Sequence, residues 1–216
     1  WIYANTYGSR AGKGIDVAFN DTFTLRGIGK IATKTFGAGD AVPITISARN
    51  LFIDGENADI RSDADDGSTG AGGNIKLTAT DTLSLNDGQI SNITWSTGDA
   101  GSITINAGNL LMDGYSAEIS SYSGSGSTGA GGNINLMVAD TFSILNNAQI
   151  IGGLLFGSGS KSSITINALN LHMDNEASIR TRVFFGAAAD INLNIANTLS
   201  IRNDSVITAS SFEQGD

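Results

Sequence analysis

The sequence predicts an all-β fold, a right-handed parallel β-helix (β-solenoid) of about seven coils of 27–31 residues, with three short strands per coil. Three observations predict it. Isoleucine recurs as Ile15, Ile44, Ile75, Ile103, Ile134, Ile164 and Ile191, at separations of 29, 31, 28, 31, 30 and 27 residues. Six residues after each stands an acid or its amide: Asp21, Asn50, Asp81, Asn109, Asp140, Asn170 and Asn197. Fifteen or sixteen residues after each comes a second isoleucine with a small residue two places before it, as in Ala58/Ile60, Gly88/Ile90 and Ala117/Ile119. Self-similarity at such a period is the mark of stacked repeats.

The first arm of each coil alternates. In Ile103-Thr104-Ile105-Asn106-Ala107, period two places Ile103, Ile105 and Ala107 on one face. A second run follows the Asp/Asn column, as in Thr82-Leu83-Ser84-Leu85, and the small-x-Ile segment makes the third arm. No stretch carries helical periodicity long enough to bury a helix face. Like residues then stack at about 4.8 Å per coil, giving a rod of roughly 35 Å. Right-handed winding follows from the preference of parallel connections.

The Asp/Asn column is expected at a corner, because both residues tolerate left-handed backbone and form Asx turns. Acid and amide largely alternate along it, which spaces the charges and permits hydrogen bonds between neighbours. The repeat is thus a two-coil unit, and the segment Gly67–Ile75 returns unchanged as Gly126–Ile134, 59 residues later. Asp54, Asp113 and Asp174 form a further column every second coil, expected to face outward, either as solvated surface or as regularly spaced anions for cations. In the even coils either Leu51 and Ile53 or Phe52 faces inward; the pattern leaves both open.

Residues 1–216 read as one elongated domain, with the repeat cut mid-coil at both ends, so a segment of a longer array or a filament subunit is expected. Net charge of −9 argues against nucleic acid and anionic membranes as partners. No run is apolar enough to be read as a membrane-spanning helix, so no membrane insertion is expected. The absence of cysteine is compatible with export and does not require it.

Few motifs carry chemistry. Gly124-Ser125-Gly126-Ser127-Thr128-Gly129 spells a dinucleotide fingerprint, but no helix is expected after it, so it reads as a coil junction. Asp63, Asp65 and Asp66 are the densest acids and the one candidate Ca2+ site; a solvated loop is the competing reading. No other cofactor is expected. Aromatics follow the third arm at Tyr7, Phe36, Trp95, Phe156, Phe184/Phe185 and Phe212, where they cover a corner, meet a partner, or stack on sugar rings. His172 has no second histidine with which to share a metal. A hydrolase needs two carboxylates facing one cleft. Here the acids run in columns, and no enzyme activity is expected.

Segments such as Gly101–Gly114, the following Ala117-Glu118-Ile119-Ser120-Ser121 and the glycine-rich joint before Ile134 resemble the repeats of filamentous-haemagglutinin-type exoproteins of bacterial two-partner secretion. The resemblance covers Ile2 to Phe212. It implies a right-handed shaft exported across the outer membrane to the cell surface or beyond, used in adhesion or biofilm contact. The Asn-Pro motifs of that family's secretion module do not occur here. The resemblance carries over no adhesive residue. The expected role is a structural or adhesive rod. Its partners are copies of itself stacked end to end or neighbouring coils of one long chain, with host or matrix glycans as further partners. A glycan- or cation-binding module is the alternative, and a polysaccharide-active enzyme the remoter one.

Overall fold

The computed structural model describes residues 1–154, 162–184 and 189–212. In chain order its strands are β1 (Ile2–Thr6), β2 (Ile15–Ala18), β3 (Thr22–Arg26), β4 (Lys30–Thr35), β5 (Ile44–Asp54), β6 (Asp59–Ala64), β7 (Ile75–Asn86) and β8 (Gln89–Thr94). They continue as β9 (Ile103–Asp113), β10 (Glu118–Ser123), β11 (Ile134–Leu145), β12 (Gln149–Leu154), β13 (Ile164–Asp174), β14 (Ser178–Val183), β15 (Ile191–Ile201) and β16 (Val206–Ser211). There is no helix among the described residues. One sheet stacks β1, β4, β6, β8, β10, β12, β14 and β16; the other stacks β2, β5, β7, β9, β11, β13 and β15, with β3 beside β5. The pairings within both sheets are parallel, and the fold is a β-solenoid of seven coils.

The ruler isoleucines stand directly on one another, Ile15 on Ile44 and so through Ile75, Ile103, Ile134 and Ile164 to Ile191. The third-arm isoleucines do the same in the other sheet, from Ile2 to Ile207. Between the end coils these side chains are almost wholly buried. In the even coils Leu51 and Ile53 face inward, as do Leu110 and Met112, and Leu171 and Met173, while Phe52 is only half-buried.

Two expectations require correction. From the second coil onward, the first and second arms are one continuous strand of 11 or 12 residues, so a coil has two strands rather than three. The long strands bend where odd coils carry one extra residue, and the bulge absorbs it. Register passes from Ala48↔Ala79 to Asn50↔Thr82, leaving Thr80 and Asp81 opposite Arg49. Both Arg49 N–H and Asn50 N–H donate to the carbonyl of Asp21, at 2.8 and 2.9 Å.

The Asp/Asn column is therefore not a register ladder. Asn50 stands on Thr22 and Thr82, Asn109 on Thr82, and Asn170 on Thr141 and Thr198, while Asp21, Asp81, Asp140 and Asn197 precede those threonines. Side chains still meet across the offset: Asn170 donates to Asp140 at 3.5 Å and Asn197 to Asn170 at 2.9 Å. None of the seven adopts left-handed backbone, because a bulge bends an extended chain without it. That geometry lies at the next corner, in Asp87, Asn146, Asn147, Asn175, Glu176, Asn203 and Asp204. Asp54, Asp113 and Asp174 accept there from Asn86, Asn146 and Asn203 at 2.8, 2.6 and 2.7 Å.

The third arm also buries a polar row. Thr33, Ser62, Asn92, Ser121 and Thr181 are fully inaccessible. Each hydrogen-bonds to the backbone of the joint that follows it. Thr33 donates to the carbonyl of Val42, Ser62 accepts from Gly73, Asn92 bridges Gly73 and Gly101, Ser121 bridges Gly101 and Gly132, and Thr181 donates to Ala189. A joint folded over a core would otherwise leave these amides unpaired. Added side chains at Gly73, Gly101 and Gly132 would strike the backbone of the adjacent coil, which explains the glycine-rich joints.

Candidate functional site

Most of the exterior repeats coil by coil; the outer face of β4, β6 and the loops beyond them does not. Lys30 and Lys34 on β4 face Asp59, Arg61 and Asp63 on β6. Lys30 approaches Asp59 at 3.8 Å, and Lys34 approaches Asp63 at 3.9 Å and Asp65 at 3.1 Å. Arg61 lies between Asp59 and Asp63, at 3.3 and 3.8 Å. Both aspartates are only 5% exposed although they point out of the sheet, because these cations and the adjacent strands cover them.

The three acids of the candidate Ca2+ site are thus divided. Asp63 belongs to the sheet, where it also accepts from Ile93 N–H at 3.2 Å. Asp65 is held by Lys34 and by the amide of Asp66 at 2.9 Å, and Asp66 is exposed in the turn. Among the described residues no group of three or more His, Cys, Asp or Glu is placed to hold a metal ion.

Burial pushes the Asp63 carboxyl up to about 6, against the opposing pull of Arg61 and Lys34. Burial likewise raises Asp59. Slight burial would raise Asp65 too, but its hydrogen bonds to Lys34 and the Asp66 amide outweigh that and hold it low. Between the ordinary aspartate value near 3.8 and about 6, folded Asp63 binds more proton than the unfolded chain does. Its contribution to stability is therefore present at low pH and is lost as pH rises through that window. The stability of the parent relative to Asp63→Asn is expected to be greater at about pH 4 than at about pH 7 in urea titrations. A difference independent of pH would contradict this account.

Two of the concavities among the described residues bear on function. A groove of about 720 Å3 runs along the axis at the bend of the long strands, floored by Ala79, Ala107, Val138 and Ala168 and flanked by Asn106, Met137, Asn167 and Leu169. No charged side chain lines it, and its lining repeats coil by coil, so it follows from the bend itself. The second, a notch of about 360 Å3, is lined by Asp65, Asp66, Trp95, Ser125 and Gly126, and it interrupts the repeat. Its two lips are alike. Asp65-Asp66-Gly67-Ser68 and Gly124-Ser125-Gly126-Ser127 are tight turns with positive φ at Gly67 and Gly126, 76° and 81°. Each is closed by its serine hydroxyl donating back to the first carbonyl, at 2.7 and 2.8 Å. The coil between them has a shorter joint, 13 residues from Ile90 to Ile103 against 15 from Ile60 to Ile75 and from Ile119 to Ile134. It has no matching turn; Trp95 occupies that level.

The aromatics divide in the same way. Tyr7 stacks on Phe36 with centroids 5.1 Å apart and planes 7° apart, and Phe184 stacks on Phe212 at 5.2 Å and 24°. These rings pair with one another across adjacent coils, although Tyr7, Phe36 and Phe212 remain exposed. Among the described residues Trp95 stacks on no ring; it lies against Gly124, where any Cβ would overlap its six-membered ring, and is 43% exposed. Phe156 and Phe185 lie outside the described residues. His172 is half-buried, in register with Ser143 and Ser200. Gly124–Gly129 forms a lip and joint followed by β11, not by a helix. Sequence reasoning found Trp95 and the acids separately but missed the notch, whose signal was the shortened joint between two longer ones. It also missed the charged face, signalled by Lys30, Lys34, Asp59, Arg61 and Asp63 alternating with apolar or small residues on two adjacent third arms. The chain matches no family model, no curated protein and no solved structure.

Proposed function

We propose that this chain is a structural and adhesive rod, a stretch of a secreted bacterial surface exoprotein that spaces and presents binding surfaces along a stiff shaft. One observation carries the reading: the two isoleucine ladders stack coil on coil through all seven coils, so a main core and two sheets run the length of the described chain. Tension applied across the rod loads many strand hydrogen bonds at once, and tension along it must separate whole coils. The terminal strands β1 and β16 each have one partner in the sheet, and Ile2 and Ile201 near the ends are 44% exposed. A further coil, from the same chain or from another copy, would cover them. Export to the cell surface belongs to this proposal and rests on the resemblance of the repeats.

The test is retention under flow. Beads coated with the purified chain are passed over immobilised matrix protein and polysaccharide, and filament formation is followed by electron microscopy. Retention above uncoated beads, or filaments one rod wide, supports the reading. Absence of both, or release of reducing sugar from polysaccharide, would overturn it.

A further inference from the structure

We propose that the notch over Trp95 is a saccharide-binding site that takes one terminal pyranose ring, with Trp95 as its platform and Asp65 and Asp66 as acceptors for ring hydroxyls. The inference rests on the adhesive part of the reading above and names a ligand class for it.

Four observations converge on the site. Trp95 is an exposed ring placed where the coils on either side carry Asp65 and Gly124. Its indole is seated against Gly124, where any larger residue would place a Cβ within 2.3 Å of the ring. A flat apolar ring with a polar rim matches the C–H face of a pyranose, whose hydroxyls project at its edge. The lips are two coil rises apart, about 10 Å between backbones. Indole and one sugar ring stacked face to face fill such a gap, whereas a continuous polymer would have to pass through the lips. This selects a chain terminus.

The chemistry of the wall selects further. Asp65 is held in place by Lys34 and by the Asp66 amide, and that leaves Asp66 exposed beside the ring. Ionised carboxylates accept strongly from hydroxyls. They repel sialic and uronic acids, so the ring is neutral or amino-substituted. Both lips are closed by their serine hydroxyls, so the cleft is built before the ligand arrives.

Trp95 fluorescence reports occupancy directly in a Trp1→Phe background, where it is the remaining tryptophan. The probes are the methyl glycosides of glucose, galactose, mannose and N-acetylglucosamine, with sialyllactose as the acidic control. At least one neutral glycoside is expected to shift the emission saturably, with a Kd on the order of 1 mM, as suits a single ring. Trp95→Ala, read by calorimetry, and Asp66→Lys, read by fluorescence, are each expected to weaken that binding by at least about tenfold. Asp66 is exposed in a turn, so Asp66→Lys leaves the core intact even if Trp95→Ala disturbs the corner. Saturation by none of the neutral probes, or equal binding after Asp66→Lys, would overturn the site. Bead retention by a chain that binds no glycoside would leave the adhesive rod standing and remove only the notch.

Discussion

Ala117→Arg is expected to abolish the folded centre of the rod. Ala117 is wholly inaccessible and sits between the second and third arms, where the small-residue column runs Gly29, Ala58, Gly88, Ala117, Ala148 and Ala177. The column is tight enough that a Cβ on Gly88 would come within 2.5 Å of Ile53 Cγ2. Ala117 faces the apolar core, so an arginine there would carry its guanidinium inward, away from Asp87 and Glu118, which lie outside that core. Burying an unpaired charge and overpacking the corner together cost about 4 kcal/mol or more. The measurement is hydrogen exchange along the chain. Solenoid stability is local, so the β9–β10 coil and its neighbours are expected to exchange first, well before the end coils of the same variant. A variant that melts and exchanges like the parent would mean that the third arm faces the other way.

The second large effect concerns a polar residue. Asn92→Leu keeps the branching of the side chain and adds apolar surface to a core position, so hydrophobicity alone predicts a neutral or stabilising change. The structure predicts the opposite. Asn92 is fully buried, donates to the carbonyl of Gly73 at 2.6 Å and accepts from the amide of Gly101 at 2.8 Å. Leucine strips both groups of their partner inside the joint, at about 1–3 kcal/mol each. A loss of about 2–5 kcal/mol is therefore expected in chemical denaturation. Thr33→Val is expected to cost less, because it removes bonds to one carbonyl and to Ser62, which retains the Gly73 amide. Equal stability of Asn92→Leu and parent would show that the joint finds other partners.

How much was legible depended on whether a feature repeats. The inward face of the first arm was readable because period-two alternation leaves one solution: Ile103, Ile105 and Ala107 cannot be buried with Thr104. The small-residue column was readable because it recurs in every coil. The second arm of the even coils was not, since Leu51, Phe52 and Ile53 are all apolar and the choice rests on one extra residue in the neighbouring coil. Asp21 and Asn50 look equivalent by counting from isoleucine, yet the bulge sets them out of register. Distance along the chain does not record which residue of a strand remains unpaired.

The sequence by itself determined the fold class, the number of coils, the two isoleucine ladders and the tight corner at Ala117. Each follows from a local period repeated often enough that only stacking can bury it. Only the tertiary structure decided the rest. Register between coils made two arms into one bent strand. Burial made Thr33, Asn92 and Ser121 the pins of the joints. Stacking of unequal joints brought Asp65, Trp95 and Ser125 to one notch. These residues are about 30 apart in sequence and meet because adjacent coils lie about 5 Å apart. No local pattern encodes that distance; the hydrogen bonds between coils create it.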